Sequence, residues 1–72
     1  MNFGTWQVTA FKEEDGALVQ AAKIWNCSAD RKFEFISKWE GQEGICLITA
    51  TFFERNPKSP LSRVVIREDY TP

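Results

Sequence analysis

The segment from Trp6 to Trp25 reads WQVTAFKEEDGALVQAAKIW and determines how this chain folds. Its first six residues alternate between apolar and polar side chains, as a half-buried β-strand does. Asp15-Gly16 follows, and this pair suits a type I′ turn, because both central positions of that turn need a positive φ. The segment therefore predicts two antiparallel strands, the second over Ala17 to Trp25. A two-residue hairpin then places on one face Trp6, Val8, Ala10, Val19, Ala21 and Trp25.

A helix is the alternative for the second half of this segment. Leu18, Ala21, Ala22 and Trp25 also fall at helical spacing, and Ala, Leu, Gln and Lys are good helix formers. If residues 17–26 are helical, residues 32–40 become a strand, and the order is βαβββ.

The residues from Ser28 to Glu40 have the pattern of a helix. Ser28 is a suitable N-cap, Asp30 favours the first turn, and Gly41 can end the helix. One helical face carries Phe35, Ile36 and Trp39.

Two further strands are predicted after the helix. Ile45 to Phe53 is apolar on both faces, which indicates a central strand. Residues 56–60 contain two prolines and predict a loop. Ser62 to Tyr70 alternates in the manner of an edge strand, with Val64, Ile66 and Tyr70 on one face. The other face is predicted to carry Arg63, Val65, Arg67 and Asp69.

Together these elements predict a single α+β domain over residues 1–72. We expect a four-stranded antiparallel sheet with one helix on one face, in the order ββαββ. A domain of this length buries only about 60% of its unfolded surface. We therefore expect all three tryptophans, Trp6, Trp25 and Trp39, in the core.

Composition argues against several functional classes. The chain has 72 residues, no His, two Cys and a net charge of −1 with both signs interleaved. Without histidine the chain lacks the side chain that ordinarily titrates near neutrality, and no spaced set of metal ligands is present, so we expect a non-enzymatic protein without cofactor or metal. Cys27 and Cys46 form no disulfide framework, and we find neither a signal peptide nor a long apolar run. These features predict a cytoplasmic, non-membrane protein.

The apolar surface left over on the sheet is the main functional clue. Leu47, Phe53, Val65 and Ile45 are predicted on the face opposite the helix, where no second helix can cover them. Exposed apolar patches of a few hundred Å² usually mark an interface. We therefore expect a protein-interaction module that binds a larger macromolecule, or a second copy as a homodimer, through a sheet face or edge strand.

Nucleic-acid binding is the alternative. Arg55, Lys58, Arg63 and Arg67 gather around the last hairpin beside Phe53, and basic side chains next to aromatic rings can bind single strands. Acidic residues in the same stretch cancel most of this charge, so we expect such binding to be weak.

The order of elements resembles that of small phage inhibitors of RNA polymerase. The resemblance lies in Trp6-Gln7-Val8 in the first strand and Trp39 late in the helix, and it covers about half of the chain. It implies a phage-encoded inhibitor or accessory protein that modulates a larger macromolecule. The strongly charged interface residues of those inhibitors have no counterparts here.

Overall fold

The computed structural model describes residues 3–55 and 62–72, and places in them four strands and one helix. The predicted loop at 56–60, Lys58 within it, and the side chains of Phe3, Arg55 and Ser62 lie outside the described residues. The elements are β1 (Phe3–Glu14), β2 (Ala17–Cys27), α1 (Ala29–Glu40), β3 (Ile45–Arg55) and β4 (Ser62–Tyr70). This order confirms the predicted ββαββ fold, and the helical alternative for residues 17–26 is wrong.

The strands form one antiparallel sheet in the order β2-β1-β3-β4. The two central strands are therefore β1 and β3, and β2 and β4 are the edges. Helix α1 packs on one side of this sheet, mostly against β1 and β3. We call the side under α1 the inner face and the other side the open face.

The first hairpin turns as predicted, but its strands pair differently. Asp15 and Gly16 both have positive φ, at 51° and 80°, and Glu14 pairs with Ala17. Two bulges then each insert an extra residue into β2, so Trp6 pairs with Cys27 instead of Trp25. The predicted face was therefore wrong for Ala21 and Trp25, and Trp25 is 59% exposed. The inner face of β2 holds Val19, Ala22, Ile24 and Cys27.

Two more bulges change the faces of β3 and β4. Cys46 is an extra residue between the pairs Phe11–Leu47 and Lys12–Ile45, which turns Ile45 to the inner face. Val65 is an extra residue between the pairs Phe52–Ile66 and Phe53–Val64, which turns Val64 to the open face. The predicted alternation of β4 is thus correct only from Ile66 onward, because a bulge reverses the faces of all residues beyond it.

The core lies between α1 and the inner face. Its buried members are Trp6, Val8, Ala10, Cys27, Ile36, Ile48 and Ala50. Ser28 caps the helix by accepting a hydrogen bond from the Arg31 backbone N–H at 3.3 Å, and Gly41 is the C-cap. Phe35 and Trp39 pack against the core beside Ile36, as the helical spacing predicts.

Gly4 allows Phe52 to lie against the backbone of β1. A Cβ atom at residue 4 would overlap the Phe52 ring, which also packs on Trp6 with ring centroids 5.2 Å apart. Gly4→Ala should therefore displace Phe52 and lower the free energy of unfolding by about 1–3 kcal/mol.

Gly41→Ala is the matched control for this prediction. Gly41 has a helical φ of −82°, and the nearest atom to an added Cβ is the Lys38 carbonyl oxygen at 3.8 Å. It should be neutral or slightly stabilising. Urea titrations of both variants measure the difference, and equal stability would show that the ring moves at no cost.

Candidate functional site

The structure separates the residues that were predicted to form one partner patch. Leu47 and Phe53 do lie on the open face, but they are six residues apart on β3, a distance of about 20 Å. Ile45 lies on the inner face and packs against the core, so its predicted placement was wrong. Val65 is exposed at the bulge of the edge strand. A contiguous apolar patch of these four side chains therefore does not exist.

The open face instead has an uncharged centre. Among the described side chains of the two central strands, eight point to it: Thr5, Gln7, Thr9, Phe11, Leu47, Thr49, Thr51 and Phe53. None carries a charge, and each is buried or half-buried although no described element covers them. Thr9 is only 7% exposed. Aromatic and aliphatic side chains lie at the two ends of this surface, with threonine and glutamine between them.

Charged residues of the open face lie at its margins. Lys23 of β2 and Asp69 of β4 occupy the two ends of the cross-strand row that contains Thr9 and Thr49. Arg67 lies on the same edge as Asp69, and its Nε is 3.4 Å from an Asp69 carboxylate oxygen. An uncharged centre with a polar and charged rim is the usual composition of a protein interface.

The basic residues of the predicted nucleic-acid site fall on different sides of the sheet. Arg63 pairs across the sheet with Glu54 on the inner side, whereas Arg67 lies on the open face. Arg63 Nη2 is 3.8 Å from Glu54 Oε1, and Arg67 is paired with Asp69. The structure thus does not bring Arg63 and Arg67 into one basic surface. The Arg55 side chain and Lys58 are outside the described residues.

A buried ionic cluster joins α1 to β4, and the sequence reading missed it. Lys32 is 4% exposed, and its Nζ donates a hydrogen bond to Glu68 Oε1 at 2.9 Å. The Tyr70 hydroxyl donates to the same oxygen at 2.9 Å. The Lys32 ammonium also lies 3.7 Å from the centre of the Trp6 ring, a close cation–π contact. The cluster attaches the helix to the edge strand.

The contacts within this cluster shift the pKa values of Glu68 and Tyr70 in opposite directions. Hydrogen bonds from Lys32 and Tyr70 lower the pKa of Glu68 below its ordinary value of 4.5. Burial, together with the neighbouring Glu68 carboxylate, raises the pKa of Tyr70 above its ordinary value of 10.0. At neutral pH Glu68 is therefore a carboxylate and Tyr70 a neutral phenol. Lys32 Nζ and the Tyr70 hydroxyl both donate to the same carboxylate oxygen of Glu68.

Sequence spacing contained one signal for this cluster. Lys32 precedes Ile36 by four residues and Trp39 by seven, so it occupies a position on the apolar face of the helix. A lysine there must reach a carboxylate or solvent, since an unpaired buried charge is costly.

Neither cysteine has the surroundings of a nucleophile. The Cys27 thiol is buried and donates to the Trp6 carbonyl oxygen at 3.3 Å, and burial raises its pKa. The Cys46 thiol lies 3.6 Å from the Phe11 carbonyl oxygen. Reactive thiols are solvent-exposed and lie in electropositive surroundings, so the positions of Cys27 and Cys46 are typical of structural cysteines.

The described part of the chain contains neither a metal-binding cluster nor a membrane-spanning helix. No group of three or more Cys, Asp and Glu side chains in residues 3–55 and 62–72 is placed to hold a metal ion. Next to the first turn, the Glu14 carboxylate forms an ion pair with Lys12 at 2.9 Å. The single helix described is too short and too polar to cross a membrane.

Comparisons with protein-family models, with curated proteins and with solved structures found no match to this chain.

Proposed function

We propose that this protein is a non-enzymatic interaction module, an inhibitor or accessory protein, that binds a larger protein through the open face of its sheet. The observation that carries the proposal is the uncharged centre of that face. A sheet face that only meets water has no reason to avoid Lys and Glu, which are common on protein surfaces. Here the eight open-face positions from Thr5 to Phe11 and from Leu47 to Phe53 all avoid them, and in this alternation a charged residue, Arg55, enters the register only in the last pair of the overlap, opposite Phe3.

The open face supports this role better than either edge strand. Strand addition needs a straight, accessible edge, whereas both edges here are interrupted by bulges, which twist the backbone and end regular pairing. Edge strand β4 also carries the alternating charges Arg67, Glu68 and Asp69. The central face has neither obstacle.

The non-enzymatic part of the proposal rests on the titratable groups. Among the described side chains, Lys32, Glu68 and Tyr70 form a cluster of ionisable groups whose polar atoms bind one another. Both cysteines are unpaired thiols, which accords with a reducing cytoplasmic compartment.

Thr49→Lys is the sharpest test of the open face. Thr49 is half-buried at the centre of the uncharged surface, and Asp69 across the strand can receive the new ammonium without unfolding. Affinity capture from cells of the source organism should lose the specific partner with Thr49→Lys and retain it with Ser37→Lys. Ser37 is exposed on the outer side of α1, so this control adds the same charge elsewhere.

Sedimentation velocity separates a foreign partner from self-association. If the wild type is a dimer that Thr49→Lys dissociates, the partner is a second copy. If the wild type is monomeric and no captured protein depends on Thr49, the proposal is wrong. Submicromolar, steeply salt-dependent DNA binding that is lost in Arg63→Ala and Arg67→Ala would favour the nucleic-acid alternative.

A further inference from the structure

A groove lies between α1 and β2, on a different surface from the open face. Because α1 packs mostly against β1 and β3, the inner side of edge strand β2 is incompletely covered. Two adjoining depressions of about 360 Å³ and 300 Å³ result, and both are lined by Ile24 and Arg31.

The groove combines an apolar floor with an exposed tryptophan. Ile24 and Phe35 are half-buried and pack against the core, so they form the floor. Trp25 borders the larger depression and is 59% exposed. The second bulge of β2 and the left-handed Asn26, with φ of 51°, hold it out of the core. A large exposed ring beside an apolar depression is the type of anchor that peptide-binding sites use.

The basic side chains that line this groove differ from most others in the molecule, because they form no ion pair with a described carboxylate. Seven Lys and Arg side chains are described, and four of them, Lys12, Lys32, Arg63 and Arg67, form ion pairs with carboxylates. Among the described side chains, the three without such a pair are Lys23, Arg31 and Lys38. Two of these three, Arg31 and Lys38, line the groove. Lys23 lies at the margin of the open face, with its Nζ 5.4 Å from the centre of the Trp25 ring.

One carboxylate, that of Glu34, also lines the smaller depression, and the groove still carries an excess of positive charge. This excess is local, since the whole chain has a net charge of −1. Unpaired cations collected on one side of an acidic protein are complementary to an anionic ligand.

We propose that the α1–β2 groove binds an acidic peptide segment of a partner protein. An aromatic or aliphatic side chain of that segment packs on Ile24 and Phe35 beside Trp25, and its carboxylates pair with Arg31 and Lys38. The apolar floor favours a peptide over a single-stranded nucleic acid, which needs several stacking platforms and a continuous basic track. The floor of this site lies on the inner side of β2, so the site does not use the uncharged centre of the open face.

The test uses short synthetic probes and the intact protein. The first probe is acetyl-Glu-Asp-Phe-Glu-Asp-Leu-Glu-amide, and its control replaces every acid by its amide. A ten-nucleotide deoxythymidine strand is the third probe. Binding of the acidic peptide should shift the backbone amide resonances of Ile24, Trp25 and Phe35 in ¹⁵N–¹H spectra, and it should weaken as salt is raised.

Charge-reversal variants locate the site. Arg31→Glu and Lys38→Glu replace exposed side chains, so the fold should persist and the acidic peptide should bind at least tenfold more weakly. Arg67→Glu makes the same charge change on the open face and should leave peptide binding unaltered, as should Thr49→Lys. These variants can therefore refute the groove proposal without refuting the open-face proposal. They can equally refute the open-face proposal without refuting the groove proposal.

Three outcomes would overturn the groove proposal. If the amide-substituted peptide binds as tightly as the acidic one, the carboxylates of the peptide do not contribute to binding. Tighter binding of the oligonucleotide would assign the groove to nucleic acid. Resonance shifts confined to the open face, or absent at millimolar peptide, would show that the groove takes no such segment.

Discussion

Ile48→Glu is expected to unfold the protein. Ile48 is fully buried on the inner face of β3, between Ala10 and Tyr70 in the neighbouring strands. Lys32, the only buried cation among the described residues, is already paired with Glu68, and burying an unpaired charged group costs at least several kcal/mol. Domains of this length have a total stability of only about 4–10 kcal/mol. Circular dichroism and thermal unfolding should show the loss of a cooperative transition.

Leu47→Glu is the matched control, because the same substitution one residue earlier faces the other way. Leu47 is half-buried on the open face beside Phe11, where a carboxylate can reach water. This variant should stay folded and lose about 1 kcal/mol, as half-exposed strand positions do. A Leu47→Glu protein as unfolded as Ile48→Glu would mean that the open face is itself core, as in an obligate oligomer.

The element order was predictable because its signals are local. The Asp15-Gly16 turn, the Ser28 cap and the apolar run from Ile45 to Phe53 each act over a few residues, and all three are present in the structure. Strand faces were less predictable, since each bulge shifts the alternation by one residue. Nothing in the sequence around Cys46 or Val65 indicates a bulge. The position of a bulge depends on the twist of the whole sheet, which local sequence does not determine.

The candidate surfaces depended on these same bulges. Trp25 was predicted in the core because simple alternation pairs it with Trp6. Its exposure follows from the extra residue Ala21, which puts Ile24 instead of Trp25 on the inner face. Ile45 moved from the open face to the inner face for the corresponding reason in β3. Leu47 and Phe53, which lie between the bulges of β3 and β4, kept their predicted face.

The Lys32–Glu68 pair joins residues 36 positions apart, so no local pattern could reveal the partner. Its energetic role can be tested by removing one charge or both. Glu68→Leu leaves Lys32 buried without a carboxylate, and we expect it to lower the free energy of unfolding by about 2 kcal/mol. That is less than the roughly 3–5 kcal/mol of a fully buried pair, because the Glu68 side chain is 36% exposed and partly screened.

The double variant Lys32→Met, Glu68→Leu should be at least as stable as the wild type. Both charges are then gone, and two apolar side chains fill the space over Trp6 without a desolvation cost. The effect of Glu68→Leu thus changes from destabilising to neutral or stabilising when Lys32 is methionine. Urea unfolding of the four proteins gives the coupling energy, and simple additivity of the two single changes would refute an energetic link.

The pH dependence of stability should follow from the same cluster. The folded-state pKa of Glu68 is lowered, so its contribution is complete above its ordinary pKa of 4.5 and is lost as the pH falls through the lowered value. The pKa of Tyr70 is raised, so its contribution is present below pH 10.0 and is lost as the pH rises through the raised value. Glu68→Gln should flatten the acid limb of a stability profile, and Tyr70→Phe the alkaline limb. An acid limb equally steep in Glu68→Gln would assign the acid sensitivity to other carboxylates.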